Sequence, residues 1–135
     1  MNLQRDIFIT ESDLERLDRL VSGSKKSPNT DRLKSELERA VVVTSGEIPS
    51  DVVTMNSRII FKELDSDEEM EITLVYPSES DVNSRKISIL TPVGSALLGL
   101  RAGDIIDWPL PSGKICTYRV ISVLYQPEAD GRYDL

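Results

Sequence analysis

The chain contains no histidine and a single cysteine, Cys116. The commonest general base and the usual zinc ligands are therefore missing together. Carboxylates remain. Glu63, Asp65, Asp67, Glu68, Glu69 and Glu71 crowd one stretch and can attract a cation weakly. That stretch lacks the glycine and the regular ligand offsets of a calcium loop. Glu79 and Asp81 form a second acidic loop, suited to a basic partner surface or simply to solvent. Lys25 and Lys26 are adjacent cations that can meet nucleic acid, an acidic wall or water, and Asp31 is the nearest acid. No Gly-rich phosphate loop and no Gly-x-Ser-x-Gly elbow occurs. Cys116 alternates with apolar neighbours and reads as a buried thiol. The residue types point away from conventional enzymes: no catalytic residue, no metal and no cofactor is expected.

Composition narrows the remaining classes. The chain has 135 residues, is 39% hydrophobic and carries a formal net charge of −7. That is enough for one domain with a core and a small appendage. No apolar run approaches the roughly 20 residues of a membrane span. Met1–Asp6 lacks the basic start and apolar core of a secretory leader, and one cysteine fits a reducing cytoplasm. An acidic chain is a poor general binder of phosphates, so sequence-specific nucleic-acid binding is not expected, whereas a basic protein surface suits it.

The elements that must position any site follow from periodicity. The organising stretch is Thr91–Asp104. Thr91 is an N-cap, Pro92 fits the first helical position, and Val93, Ala96, Leu97 and Leu100 repeat as an apolar stripe. Gly99 and Gly103 suit a helix stop and a tight turn. Upstream, Ile7–Ile9 is a short extended lead. Thr10 caps a helix whose stripe is Leu14, Leu17, Leu20 and Val21, with Asp13 as the acid of a capping box. After the loop Lys25–Asn29, Asn29 or Thr30 caps a second helix running to about Val42, although Val41–Thr44 also reads as strand. The two helices form an antiparallel hairpin. Gly46 and Pro49 punctuate a linker, which divides the chain into residues 1–45 and 46–135. Val52–Met55, Arg58–Leu64, Glu71–Tyr76, Lys86–Leu90, Ile105–Trp108 and Lys114–Tyr125 read as strands, the last of them central. Glu128–Leu135 reads as a loose polar tail. The expected class is α+β: a short N-terminal helical hairpin, then a twisted, mostly antiparallel sheet with one helix packed across it.

Thr91-Pro92, the following small residues, Ala96-Leu97-Leu98-Gly99 and Gly103-Asp104 resemble the C-terminal domain of bacterial Gre transcript-cleavage factors. The resemblance spans Val52 to Gln126. Within that family, Pro49–Arg58, Leu74–Pro77 and Tyr125–Ala129 are similar to the short-armed Rnk branch. The resemblance implies an FKBP-like sheet domain that grips RNA polymerase at its secondary channel through the loop entering the helix, here Leu90, Thr91 and Pro92. An acid precedes that loop in the cleavage factors, and Leu90 stands in its place. The family arm carries two acids to the polymerase metal. A helix of about 12 residues spans only roughly 18 Å, and the tip here, Ser24–Pro28, has no carboxylate. Asp31 sits where a first-turn acid favours the helix dipole. Lys25, Lys26 and Asp31 are the candidate arm-tip contacts. The implied function is a cytoplasmic regulator on RNA polymerase that competes with Gre factors without promoting cleavage, with a downstream effect on nucleoside diphosphate kinase. The alternatives are a Gre-type cleavage factor and an interaction module for another partner. An FKBP-like fold also raises prolyl isomerisation, for which the scattered aromatics offer no pocket.

Overall fold

The computed structural model describes residues 7–133. The expectations for Met1–Asp6 and for the last two tail residues lie outside them. Strand β1 (Phe8–Thr10) leads directly into α1 (Glu11–Gly23). Thr10 Oγ1 accepts the Asp13 N–H at 3.1 Å, so the expected cap forms. The Asp13 carboxylate does not close a local box; it accepts from the Met55 N–H at 3.2 Å. Helix α2 (Pro28–Arg39) is capped by Ser27, not by Asn29 or Thr30. Ser27 Oγ accepts the Thr30 N–H and Thr30 Oγ1 accepts the Ser27 N–H, which satisfies two free donors and places Pro28 in the first turn. The helix stops at Arg39, short of Val42. Val41–Val43 instead form β2, parallel to β1, because three β-branched residues favour extended backbone and the Ile7 carbonyl is there to accept from Val41.

The second sheet holds β3 (Arg58–Glu63), β4 (Glu68–Val75), β5 (Lys86–Ser88), β6 (Ile105–Pro109) and β7 (Ile115–Tyr125), in the order β5-β4-β3-β7-β6. Only β4 and β5 run parallel within it. The long β7 lies between β3 and β6, as its two apolar faces predict. Its register against β3 slips twice, between Ile60 and Phe61 and between Arg58 and Ile59. Such bulges bend a strand and curl the sheet. Val52–Met55 is not a strand: it touches Arg101 through one bridge at Val52 and otherwise turns. Its backbone groups are committed elsewhere, Val53 N–H to Leu100, Val53 C=O to Gly99 and Met55 N–H to Asp13. The tail is also ordered where looseness was expected. Gln126 donates to the Pro49 and Val52 carbonyls, both at 2.8 Å. Glu128–Asp130 is a 3-10 turn, and buried Glu128 accepts from Thr54 Oγ1 at 2.7 Å.

Helix α3 (Pro92–Leu97) follows β5 and packs on β6. A side chain at Gly94 would collide with the Ser88 carbonyl, so this glycine sets how closely α3 meets β5. Ile7, Ile9, Leu17, Leu33 and Leu37 from the N-terminal elements share one buried cluster with Ile59, Phe61, Leu74, Leu97 and Trp108. Gly99 brings the backbone up against β1 and the residue before it. Its φ is +80°, a Cβ there would lie 2.6 Å from Ile7 Cβ, and its carbonyl accepts the Phe8 N–H at 3.0 Å.

Candidate functional site

The loop Leu90–Pro92 is held from within before anything else touches it. Thr91 Oγ1 accepts the Gly94 N–H at 3.1 Å and donates to the Ser88 carbonyl at 2.7 Å. The N-cap expected of Thr91 is therefore present, and the same hydroxyl ties the helix back to β5. Ser95 Oγ donates to the Ile89 carbonyl at 2.7 Å. Leu90, Thr91 and Pro92 are each half-buried.

A second clamp comes from the first turn of α2. Asn29 Nδ2 donates to the Leu90 carbonyl and to Ser95 Oγ, both at 3.1 Å, while its Oδ1 accepts from Trp108 Nε1 at 2.8 Å. One amide thus joins the first turn of α2, the loop Leu90–Pro92 and β6. Trp108 is fully buried, and a buried indole N–H needs such an acceptor. The Arg32 guanidinium stacks 4.8 Å from the Trp108 ring centroid. Beside it opens a notch of about 240 Å³ walled by Pro28, Arg32, Trp108, Leu110 and Pro111. Arg32 Nε is buried with no hydrogen-bond partner. The notch offers an apolar wall of Pro28, Leu110 and Pro111 beside the indole.

Lys25 and Lys26 are exposed on the loop between the helices, and Asp31 is exposed in the first turn of α2. Asn29, between Lys26 and Asp31 in sequence, reaches the Leu90 carbonyl, whereas Lys26 and Asp31 themselves line a separate hollow with Val21, Ser24 and Lys34. The sequence reading kept these two groups apart. It offers Asn29 or Thr30 as a cap, places Trp108 only in a strand and gives Arg32 no role. Only Trp108 gave a signal, through its need for an acceptor, and nothing local named Asn29.

A buried polar cluster gathers around Asp13. Asp13 is 1% exposed, and its carboxyl is raised to about 7. Burial is the main cause and the Glu128 carboxylate the second; the Met55 N–H, Arg16 and the Tyr76 hydroxyl oppose them. Burial, with Asp13 nearby, also pushes the Tyr76 phenol up. Cys116 is buried, as its alternation predicts. Among the described residues no group of three or more cysteines, aspartates or glutamates is placed to hold a metal ion. Among them, too, no helix is long and apolar enough to cross a membrane.

Comparison with known proteins adds independent observations. The family described as transcription elongation factor GreA/GreB, C-terminal, matches residues 48–125, and the Rnk N-terminus family matches residues 5–43. The chain is 44% identical over 129 residues to the "Regulator of nucleoside diphosphate kinase" of Escherichia coli K12, covering 94% of this chain and 95% of that one. It is 41% identical over 92 residues to "Transcription elongation factor GreA" of Clostridium botulinum strain Alaska E43, covering 68% of this chain but only 57% of that protein. The solved structure titled "Prokaryotic transcription elongation factor GreA/GreB from Nitrosomonas europaea" superposes with a TM-score of 0.73 at 48% identity. That match covers 90% of this chain and all of the other.

Proposed function

The chain belongs to the GreA/GreB family, in its Rnk branch, and we propose that it is a cytoplasmic regulator that docks on bacterial RNA polymerase at the secondary-channel rim and competes there with Gre factors without promoting transcript cleavage. Residues 46–135 are the docking domain, with Leu90, Thr91 and Pro92 at the contact. Residues 1–45 are the arm. The effect on nucleoside diphosphate kinase, which the relatives' name carries, is a downstream consequence of that occupancy.

The observation that carries this reading is the Asn29 clamp. Cleavage in this family needs carboxylates brought to a metal-bound water. Here the hairpin tip is tied to the docking loop, α1 is 13 residues long, and the tip presents two exposed lysines. A helix of that length reaches about 20 Å. Docked through Leu90–Pro92, such a tip covers the rim and stops there. Leu90 in place of an acid makes the contact less charged, so binding leans on the half-buried apolar loop and the adjoining notch.

The test is binding to core RNA polymerase with a GreA-type factor as competitor and transcript cleavage as readout. The expected result is binding that suppresses GreA-stimulated cleavage, with none caused by this protein and with binding weakened by the Thr91→Ala/Pro92→Ala pair. Stimulated cleavage would overturn the reading and make Asp31 the acid to replace. Absence of binding would move the partner elsewhere.

A further inference from the structure

A second groove lies on the hairpin and shares no residue with the docking loop or the Trp108 notch. It measures about 500 Å³. Leu14, Leu37, Ala40 and Val42 floor it. Leu14 belongs to the stripe of α1 yet stays half-exposed, because among the described residues no element covers that side of the two helices, and Val42 is 44% exposed on β2. The walls are acidic: Glu11, Glu15 and Asp18 along α1 and Glu38 on α2, with Lys34 the single cation among the lining residues. Arg19 reaches Glu15 at 3.6 Å, but both side chains are largely exposed and the pairing is weak.

We propose that this groove binds an amphipathic basic helix of a partner protein. Two antiparallel helices leave a channel that a third can fill, its apolar stripe resting on Leu14, Ala40 and Val42. Glu11, Glu15 and Asp18 are spaced four and three apart, so they line one edge of α1 at the interval at which helical lysines or arginines recur. The charge balance chooses the sign of the occupant, four carboxylates against one ammonium, on a chain whose net charge of −7 steers cationic surfaces inward. The same balance argues against a second copy seated face to face, which would oppose carboxylates to carboxylates. Since the groove and the docking loop have no residue in common, the proposal stands or falls apart from polymerase binding.

The full chain is titrated with a fluorescent synthetic helix of about 18 residues built from leucine and lysine, and with its leucine–glutamate counterpart. Two variants each remove two negative charges: Glu11→Gln/Asp18→Asn at the groove, and Glu68→Gln/Glu69→Gln at the exposed start of β4. The expected result is saturable one-to-one binding of the lysine helix, weakened roughly fivefold by the groove pair and unchanged by the β4 pair. Amide shifts should centre on Leu14, Ala40 and Val42. Val42→Thr, which keeps the shape and removes apolar surface, should weaken binding as well. Equal weakening by both charge pairs would show attraction to net charge alone and overturn the proposal. So would equal binding of the glutamate helix, or self-association that buries the groove.

Discussion

Asn29→Ala removes three hydrogen bonds with one substitution, and the structure allows the loss to be sized. Trp108 is fully buried, so its Nε1 is left as a desolvated donor, at a cost of about 1–3 kcal/mol. The Leu90 carbonyl and Ser95 hydroxyl lose a donor too, but Ser95 keeps Ile89 and Leu90 is half-buried, so these add only about 1 kcal/mol. The sum is about 2–4 kcal/mol, a large part of the ~5–15 kcal/mol that holds a domain together. At roughly 3 °C per kcal/mol for a chain of this size, the melting temperature should fall by about 6–12 °C. Helix propensity works the other way, since alanine is the better helix former, so it cannot be the source of the loss. Trp108 is the only tryptophan in the chain, and its fluorescence therefore reports this contact alone. Urea melts followed at the indole, with the native emission maximum recorded, make the assay. Asn29→Asp, which keeps the acceptor for Nε1 but loses both donors, should leave the native emission near wild type while still lowering stability. A loss below about 0.5 kcal/mol for Asn29→Ala, with unchanged emission, would refute the claim that this amide seats the hairpin.

Two further outcomes follow from the buried contacts. The folded-state value of Asp13, about 7 against an ordinary 3.8, means the native state holds the proton more tightly. Its contribution is thus complete below pH 3.8 and lost as pH rises through 7. Asp13→Asn, whose amide oxygen can still accept from Met55, should flatten the fall in unfolding free energy from urea melts across that window by up to about 4 kcal/mol; parallel pH profiles for the two proteins would contradict it. Gly99→Ala meets both a φ of +80° and the Ile7 side chain, and should cost about 2 kcal/mol or more with faster amide exchange at Phe8. A melting curve like that of the wild type would rule out the close approach.

What could be read in advance, and what could not, divides by the distance between partners along the chain. Thr91 as a cap, Pro92 behind it, Gly99 at a positive φ, the central placement of β7 and the buried Cys116 are all local statements, and each is present. Local signals failed where two local choices competed. Ser27 won the cap of α2 because Thr30 could return its bond, and Val41–Val43 left the helix because β1 offered a ladder. Nothing local announces Asn29 or Gln126, whose partners lie 61 to 79 and 74 to 77 residues away. The tail looked loose for the same reason: polarity near a terminus resembles disorder until Thr54 and the Pro49 and Val52 carbonyls are placed beside it.

The three blocks of sequence that resembled the Rnk branch meet at one point in the fold. Met55 comes from the first, Tyr76 from the second and Glu128 from the third, and all three surround Asp13 of α1. Those blocks therefore carry the seat of α1, apart from the loop Leu90–Pro92 proposed as the contact. α1 is fixed at its start by Asp13 and α2 at its start by Asn29, so neither helix can swing away without exposing a buried carboxyl or a buried indole donor. An arm built to reach a distant metal has to stand clear of its domain. Here α1 is fastened at its start through Asp13 and α2 at its start through Asn29. Reaching past the proposed rim contact would require both helices to stand clear, and the contacts of Asp13 and Asn29 hold α1 and α2 to the rest of the chain instead.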